Sequence, residues 1–125
     1  MINKQLLDPA SIVVVGGSNN LRKPGGRIIQ NILSGGYSGN LYVVNPKDEL
    51  VQGIHSYAGI QELPPVDLAV LAISAKQCIE AVRMLAEQKS TRAFIILSAG
   101  FSEDSEEDVR LKMKLLILST RREPV

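Results

Sequence analysis

The sequence predicts one α/β domain in which helices cover both faces of a parallel β-sheet. Four short runs are rich in Val, Ile and Leu and nearly continuous, which is typical of strands buried on both faces. The runs are Ser11–Val15, 41–44, 67–73 and 93–97. Segments with helical spacing alternate with them, and strands connected in this way run parallel with right-handed crossovers.

The first two helices are predicted from apolar spacing and from residues suited to helix ends. Residues 27–33 place apolar side chains on one face, and the glycines that follow suit a left-handed C-cap. Ala75–Gln88 follows Ser74, and Gln77, three residues on, completes a capping box. We expect Ile79 on the buried face of this second helix.

The remaining segments predict a long connection and a third helix. The stretch 46–65 contains glycine and proline without helical spacing, and we expect a long connection there that contains a short strand or a turn of helix at most. A helix is predicted over 105–118, because acidic residues fill its first turn and basic residues follow. We expect a domain over 1–118 and a polar, basic tail over 119–125, where such a domain would normally continue.

The composition is that of an ordinary globular domain. The 125 residues are 45% hydrophobic and 22% charged, with a formal net charge of +1 and no Trp. This balance gives no global electrostatic basis for binding nucleic acid or an anionic membrane. No apolar run approaches the ~20 residues of a membrane span. One cysteine excludes an internal disulfide and a cysteine-rich zinc site, and we expect a cytoplasmic protein.

A glycine-rich loop after the first strand is the strongest candidate site. In open parallel sheets, ligands bind beyond the carboxyl ends of the strands. Gly16, Gly17 and Ser18 follow the first strand, and Lys23 and Gly25 precede the helix. Glycines let a ligand approach the backbone, and the helix N-terminus offers N–H groups to a phosphate. The pattern is neither G-x-G-x-x-G nor a P-loop, and a tight turn without a ligand is the alternative.

The second strand ends in a discriminating position. A domain that binds NAD usually carries Asp or Glu there, to accept from the ribose hydroxyls. This chain has Asn45, Pro46 and Lys47 instead. A lysine attracts a phosphate near the ribose, which suits the 3′-phosphate of coenzyme A or the 2′-phosphate of NADP. The alternative is that Lys47 is a solvated loop residue.

Small residues at the ends of the third and fourth strands leave room for a slender ligand. The candidates at these ends are Ile73 and Ser74, and then Ser98, Ala99, Gly100 and Phe101. Phe101 would pack on a ring or on a thiol arm, or would simply cover the end of the sheet.

Other chemically capable residues favour structural roles. His55 is the only histidine and has no second ligand nearby in the sequence, so we expect a surface loop residue. Cys78 falls in the second turn of a predicted helix and is expected to be partly buried and unreactive. Asp67 opens the third strand, at the end away from the ligand edge. We therefore predict no catalytic residue and no metal site in this chain.

In their order along the chain, these residues resemble a known family. The resemblance is carried by PASIVVVGGS at 9–18, Lys23, Gly25, GYSG at 36–39, VNPK at 44–47, Gly53, Tyr57, LP at 63–64, VDLA at 66–69 and SAGF at 98–101. This series is similar to the Rossmann-like CoA-binding domain of NDP-forming acyl-CoA synthetases, relatives of the succinyl-CoA synthetase alpha subunit.

The resemblance implies a role for each group of residues. The glycine-rich loop, with Lys23 and Gly25, would line the phosphates of coenzyme A. The Asn-Pro-Lys segment would hold the adenosine end, with Lys47 toward a phosphate. Ile73 and Ser74 would flank the adenine or the pantetheine arm. The Ser-Ala-Gly-Phe segment at 98–101 would guide that arm toward the thiol.

The resemblance also implies a larger enzyme. It would be an ADP- or GDP-forming ligase that interconverts acyl-CoA, phosphate and a nucleoside diphosphate with a free acid, coenzyme A and the triphosphate. Family members continue into a second domain whose histidine is phosphorylated, and His55 does not match that position. This chain alone is expected to bind coenzyme A or acyl-CoA without turnover, with other domains or subunits of the synthetase as its partners.

Two alternatives stay open at the level of the sequence. An NADP-binding oxidoreductase domain is compatible with the glycine-rich loop and Lys47 but lacks residues for hydride transfer. A non-catalytic regulatory module that binds coenzyme A, such as part of a fused acyltransferase, is compatible with every match.

Overall fold

One β-sheet with an α-helix on each face forms the protein. The computed structural model describes residues 9–102 and 105–117, and side chains over 9–97. The strands are β1 (Ser11–Val15), β2 (Asn40–Val44), β3 (Leu50–Val51), β4 (Ile54–Tyr57), β5 (Leu68–Leu71), β6 (Ala93–Ser102) and β7 (Ser105–Ile117), and the helices are α1 (Pro24–Ser34) and α2 (Ala75–Gln88).

The strands are ordered β3-β4-β2-β1-β5-β6-β7. Strand β1 pairs in parallel with β2 and β5, and the parallel pairs β2–β4 and β5–β6 extend the sheet on either side. Only the two edge strands among the described residues, β3 and β7, run antiparallel to their neighbours. Val15 lies opposite both Val44 and Leu71, so β1, β2 and β5 end level with one another.

Alternate residues of β1 serve two separate cores. Val13 and Val15 pack on the α2 side with Leu85. Ile12 and Val14 belong to a second cluster, on the α1 side, that contains Ile29 of that helix. Burial of both faces explains the nearly continuous apolar runs. The predicted α/β architecture, a parallel sheet with helices on both faces, is confirmed, with antiparallel edge strands that were not predicted.

Local signals for strands and helix ends were accurate. Each of the four predicted apolar runs overlaps a strand, and α2 has the predicted bounds. The Ser74 hydroxyl accepts from the Gln77 backbone N–H and the Gln77 side chain accepts from the Ser74 N–H, so the capping box is present. Gly36, just after α1, has φ of 78° and so ends that helix in the left-handed region.

The prediction of a helix over 105–118 is wrong. The segment forms β7, which pairs antiparallel with β6 and places Met113 opposite Leu97. Val109, Leu111, Met113 and Leu115 alternate with Arg110 and two lysines. This period of two suits a strand, although apolar residues at helical spacing lie in the same segment.

The stretch 46–65, predicted as a long connection, contains ordered structure. Strands β3 and β4 form a hairpin, and a 3-10 turn follows at Ile60–Glu62. The hairpin turns at Gln52 and Gly53, whose φ angles of 51° and 85° are both positive, as a type I′ turn requires. Helix α1 also begins before the predicted residue 27, because Pro24 fits the first position of a helix.

The predicted apolar face of α2 was partly misplaced. Ile79 is 76% exposed, whereas Cys78, Ala81 and Leu85 are buried. These three residues follow the spacing i, i+3, i+7 of a helix face, and Ile79 lies just outside that stripe. In the described part of the chain, neither helix is long and apolar enough to cross a membrane.

Shortening two apolar side chains of α2 tests this placement. Leu85 is fully buried, so Leu85→Ala should lower the free energy of unfolding by about 2–5 kcal/mol. Ile79→Ala serves as the matched control, because an exposed side chain should change stability by less than about 0.5 kcal/mol. Urea unfolding measures both, and equal losses would contradict the described face.

Candidate functional site

A cavity lined by glycines, prolines and two lysines lies at the level ends of β1 and β2. Its volume is about 250 Å³, and eight of its lining residues are candidates from the sequence. Those eight are Gly16, Gly17, Ser18, Lys23, Gly25, Asn45, Pro46 and Lys47, and Pro24 and Ala72 complete the wall. We call this the glycine-loop cavity, and residues 16–26 the glycine loop.

Glycine is needed in the loop because backbones approach closely. A Cβ on Gly25 would collide with the carbonyl oxygen of Gly16, and a Cβ on Gly26 would collide with that of Asn20. Gly16 also has φ of 91°. These contacts bring the first turn of α1 directly onto the end of β1.

The cavity offers backbone donors. The Gly16 N–H donates to the Val44 carbonyl at 3.0 Å. The N–H groups of Gly17 and Ser18 have no hydrogen-bond partner among the described residues. Helix α1 has no side-chain cap and no acidic residue in its first turn. Pro24 has no N–H, and the Gly26 N–H donates to the Lys23 carbonyl at 3.1 Å, so the Gly25 N–H and the positive dipole end of the helix are what it offers to an anion.

Two lysines add positive charge to the cavity. Lys23 and Lys47 both line it and are exposed. In the described part of the chain the ion pairs are those of Arg83 with Glu80 and Glu87, so neither lysine is neutralised by a carboxylate. The wall of the cavity therefore has two cationic side chains that form no ion pair with a described residue, in a protein whose formal net charge is +1.

The side chain of Asn45 ties two loops together. Its Nδ2 donates to the Gly17 carbonyl at 2.9 Å, and its Oδ1 accepts from the N–H groups of Lys47 at 2.7 Å and Asp48 at 3.0 Å. The amide thus fixes the segment after β2 against the glycine loop. Its predicted contact with the adenosine end of a ligand stays a prediction.

A second, mainly apolar cavity adjoins the first. It measures about 320 Å³ and shares Gly16 and Pro46 with the glycine-loop cavity. The other lining residues are Val15, Val44, Ala58, Gly59, Ile60, Ile73, Gln77, Glu80, Ala81 and Met84. We call it the apolar cavity. Ile73, predicted to flank an uncharged part of the ligand, lies in its wall.

The other predicted contacts are placed differently. The Ser74 hydroxyl is engaged in the capping box of α2, and Ser74 lines neither cavity. Residues 98–101 continue β6 and do not follow its end, because their backbone pairs with β7. Their side chains, including those of Ser98, Ala99, Gly100 and Phe101, lie outside the described part of the structure.

Residues predicted to be structural occupy such positions. His55 is exposed, as predicted, but it lies on strand β4 and not in a loop, with its ring edge-on to that of Tyr57 at 5.5 Å between centroids. Asp67 accepts from the Ala10 N–H at 2.8 Å, next to the amino end of β5 and therefore at the opposite end of the strands from the cavities. Cys78 is buried, and burial raises the pKa of its thiol. Within the described residues, no His, Cys, Asp and Glu side chains form a group that could hold a metal.

Part of the site was not predicted from the sequence. Pro24 and Ala72 also line the glycine-loop cavity. Pro24 lies between two predicted residues, Lys23 and Gly25, and Ala72 directly follows the end of β5. Gln52 was not predicted either, and its side chain contacts the glycine loop from the β3–β4 hairpin. The available signal was the Gln-Gly pair between two short β-prone runs, which indicates a hairpin turn but not the contact.

Sequence comparisons match the chain to one family. Residues 10–117 match the family described as CoA binding domain. A trans-feruloyl-CoA synthase from an unknown prokaryotic organism is 38% identical over 92% of this chain and 16% of its own length. An ADP-forming acetate–CoA ligase II from Archaeoglobus fulgidus is 32% identical over 94% of this chain and 18% of that protein. The chain thus spans about a sixth of the length of these relatives.

Solved structures show the same fold. The acetyl-coenzyme A synthetase 1 of Ca. Korarchaeum cryptofilum superposes with a TM-score of 0.71 at 27% identity, over 84% of this chain and 23% of that one. A protein of Pyrococcus horikoshii superposes with a TM-score of 0.64 at 32% identity, over 80% of this chain and 23% of that one. Both support the predicted Rossmann-like arrangement.

The buried thiol gives a test of local order near the apolar cavity. Because burial raises the pKa of Cys78, the folded protein holds the thiol proton more tightly than the unfolded chain does. This contribution to stability is present below the ordinary thiol pKa and is lost as pH rises through the raised value.

At pH 8 we therefore expect Cys78 to react with a disulfide reagent at least about tenfold more slowly in native protein than in urea. Stopped-flow absorbance measures the two rates, and Cys78→Ala provides the blank. Equal rates in buffer and urea would show that the thiol is not buried.

Proposed function

Because the chain belongs to the CoA-binding domain family, we propose that it is the module of an NDP-forming acyl-CoA synthetase that holds coenzyme A and orients its thiol. One observation carries the proposal: eight residues chosen from the sequence as ligands of a phosphorylated adenosine cofactor line a single cavity. Ser18 and Lys47, which come from different loops, are among them.

The glycine loop would bind the phosphates. The unpartnered N–H groups of Gly17 and Ser18 and the open end of α1 are fixed donors for phosphate oxygens. Lys23 adds a mobile charge at the same wall. Because the glycines have no side chains, an anion can reach these donors at hydrogen-bond distance.

The segment after β2 would recognise the ribose phosphate. Lys47 lines the cavity on the β2 side and has no carboxylate partner within the described residues. A charge-assisted hydrogen bond to the 3′-phosphate distinguishes coenzyme A from its dephosphorylated form. Pro46 stiffens this segment and belongs to the walls of both cavities.

The apolar cavity would take an uncharged part of the cofactor. It shares Gly16 and Pro46 with the glycine-loop cavity, and we expect one molecule to extend from one cavity into the other. Its apolar wall, which includes Ile73 and Met84, suits the adenine ring or the pantetheine arm. Burial of that part would add affinity that the phosphates alone do not supply.

The chemistry of acyl transfer would need other parts of a longer protein. In the proposed enzyme, acyl-CoA, phosphate and a nucleoside diphosphate exchange with a free acid, coenzyme A and the triphosphate. The chain spans about a sixth of the length of these relatives, so domains or subunits beyond it would hold the acid and the nucleotide. This chain would only bind the cofactor and aim its thiol, in the cytoplasm.

Removing one lysine tests the placement of the 3′-phosphate. Lys47→Ala should weaken coenzyme A by about tenfold, which corresponds to the lower end of a charge-assisted hydrogen bond because the side chain is exposed. The affinity for dephospho-CoA should hardly change. Isothermal titration calorimetry measures both ligands.

Two control variants accompany this experiment. Lys23→Ala should weaken both ligands equally, since Lys23 belongs to the glycine loop, which would hold the phosphates that the two ligands share. Lys89→Ala, at the far end of α2, should weaken neither. A loss for Lys47→Ala that is the same with both ligands would refute its assignment to the 3′-phosphate.

Adding a negative charge at the carboxyl end of β2 tests whether the ligand phosphates bind there. In Asn45→Asp, a carboxylate oxygen would replace Nδ2 against the Gly17 carbonyl and would face an incoming phosphate. We expect coenzyme A affinity to fall more than about tenfold. Asn40→Asp adds the same charge at the opposite end of β2 and should bind normally. Comparable affinity in both variants would count against the site.

A further inference from the structure

A side chain outside the glycine-loop cavity holds the glycine loop in shape. Gln52 is the first residue of the β3–β4 turn, and its Nε2 donates to the carbonyl oxygens of Ser18 and Gly26, both at 2.9 Å. Its backbone N–H donates to Asn19 Oδ1 at 2.7 Å, and Asn19 Nδ2 donates to the Leu50 carbonyl at 3.1 Å. Four hydrogen bonds therefore join the hairpin to the glycine loop.

The two carbonyls bound by Gln52 lie near the two ends of the loop. Ser18 is the third residue of the loop after β1, and Gly26 is in the first turn of α1. One amide group that binds both fixes the distance between them. Gln52 itself does not line the cavity.

The turn alone does not explain a glutamine at this position. Gln52 has φ of 51°, a region that favours glycine or asparagine, and type I′ turns are served best by Asn-Gly. Glutamine is less suited to the backbone but reaches one methylene farther than asparagine. The feature that uses this reach is the pair of hydrogen bonds to the loop.

We propose that Gln52 is a positioning residue for coenzyme A, which preorganises the glycine loop as an anion-binding surface without touching the ligand. The inference rests on the proposed function. A loop held in its binding shape before the ligand arrives loses less conformational freedom on binding. Loss of the amide should then weaken every phosphate-bearing ligand of the loop.

Two substitutions separate this role from that of an ordinary turn residue. Gln52→Gly removes the side chain and suits the positive φ, and Gln52→Asn keeps an amide that is one methylene too short. We expect both variants to fold and to bind coenzyme A and adenosine 3′,5′-bisphosphate about tenfold more weakly than the wild type. Calorimetry is performed at a temperature where each variant is fully folded.

The matched control perturbs the same hairpin without touching the amide. Val51→Ala shortens a fully buried neighbour, so it should lower the melting temperature but keep the affinity within about twofold. The inference is overturned if the Gln52 variants bind like the wild type, or if Val51→Ala weakens binding equally. Wild-type protein that fails to bind coenzyme A would instead overturn the proposed function, and the inference with it.

Amide spectra of the ligand-free protein give a readout independent of affinity. In Gln52→Gly, the N–H signals of Gly17 and Ser18 should shift and broaden because the loop samples other shapes. In Val51→Ala they should stay as in the wild type. Unchanged loop signals in Gln52→Gly would contradict the proposed preorganisation.

Discussion

The binding edge depends on the close packing of the glycine-loop backbone between the end of β1 and the first turn of α1. A side chain at Gly25 would collide with the Gly16 carbonyl, and one at Gly17 would meet the side chains of Val43 and Ile29. These contacts set how near the N-terminus of α1 comes to the level ends of the central strands. A wider separation would move the free N–H groups away from the lysine beyond β2.

The protein concentrates charge locally instead of carrying it overall. Its formal net charge is +1, yet two lysines without carboxylate partners in the described part of the chain share one small cavity with open backbone donors. Fixed dipoles and nearby cations attract an anion strongly over short distances while salt screens the more distant charges. The adjoining apolar cavity then suits a ligand that is a polyanion at one part and uncharged at another.

The sequence predicted what local patterns determine. The apolar runs predicted the central strands, and Ser74 with Gln77 predicted the start of α2. The residues that follow the first two strands were predicted as a binding site, and they line one cavity. The contacts of Gln52 could not be predicted, because its partner Ser18 lies 34 residues away and only the folded hairpin brings them together. Strand β7 was misassigned because residues 105–117 fit both helical and strand periods, and pairing with β6 decides between them.

The position of the cofactor in a crystal structure of this protein with coenzyme A is the most direct test. The account predicts phosphate oxygens within hydrogen-bond distance of the Gly17 and Ser18 N–H groups, and the 3′-phosphate next to the Lys47 ammonium. The adenine or the pantetheine arm would lie against Ile73. Cofactor bound at the amino ends of the strands, near Asp67, with the glycine loop empty, would contradict the account.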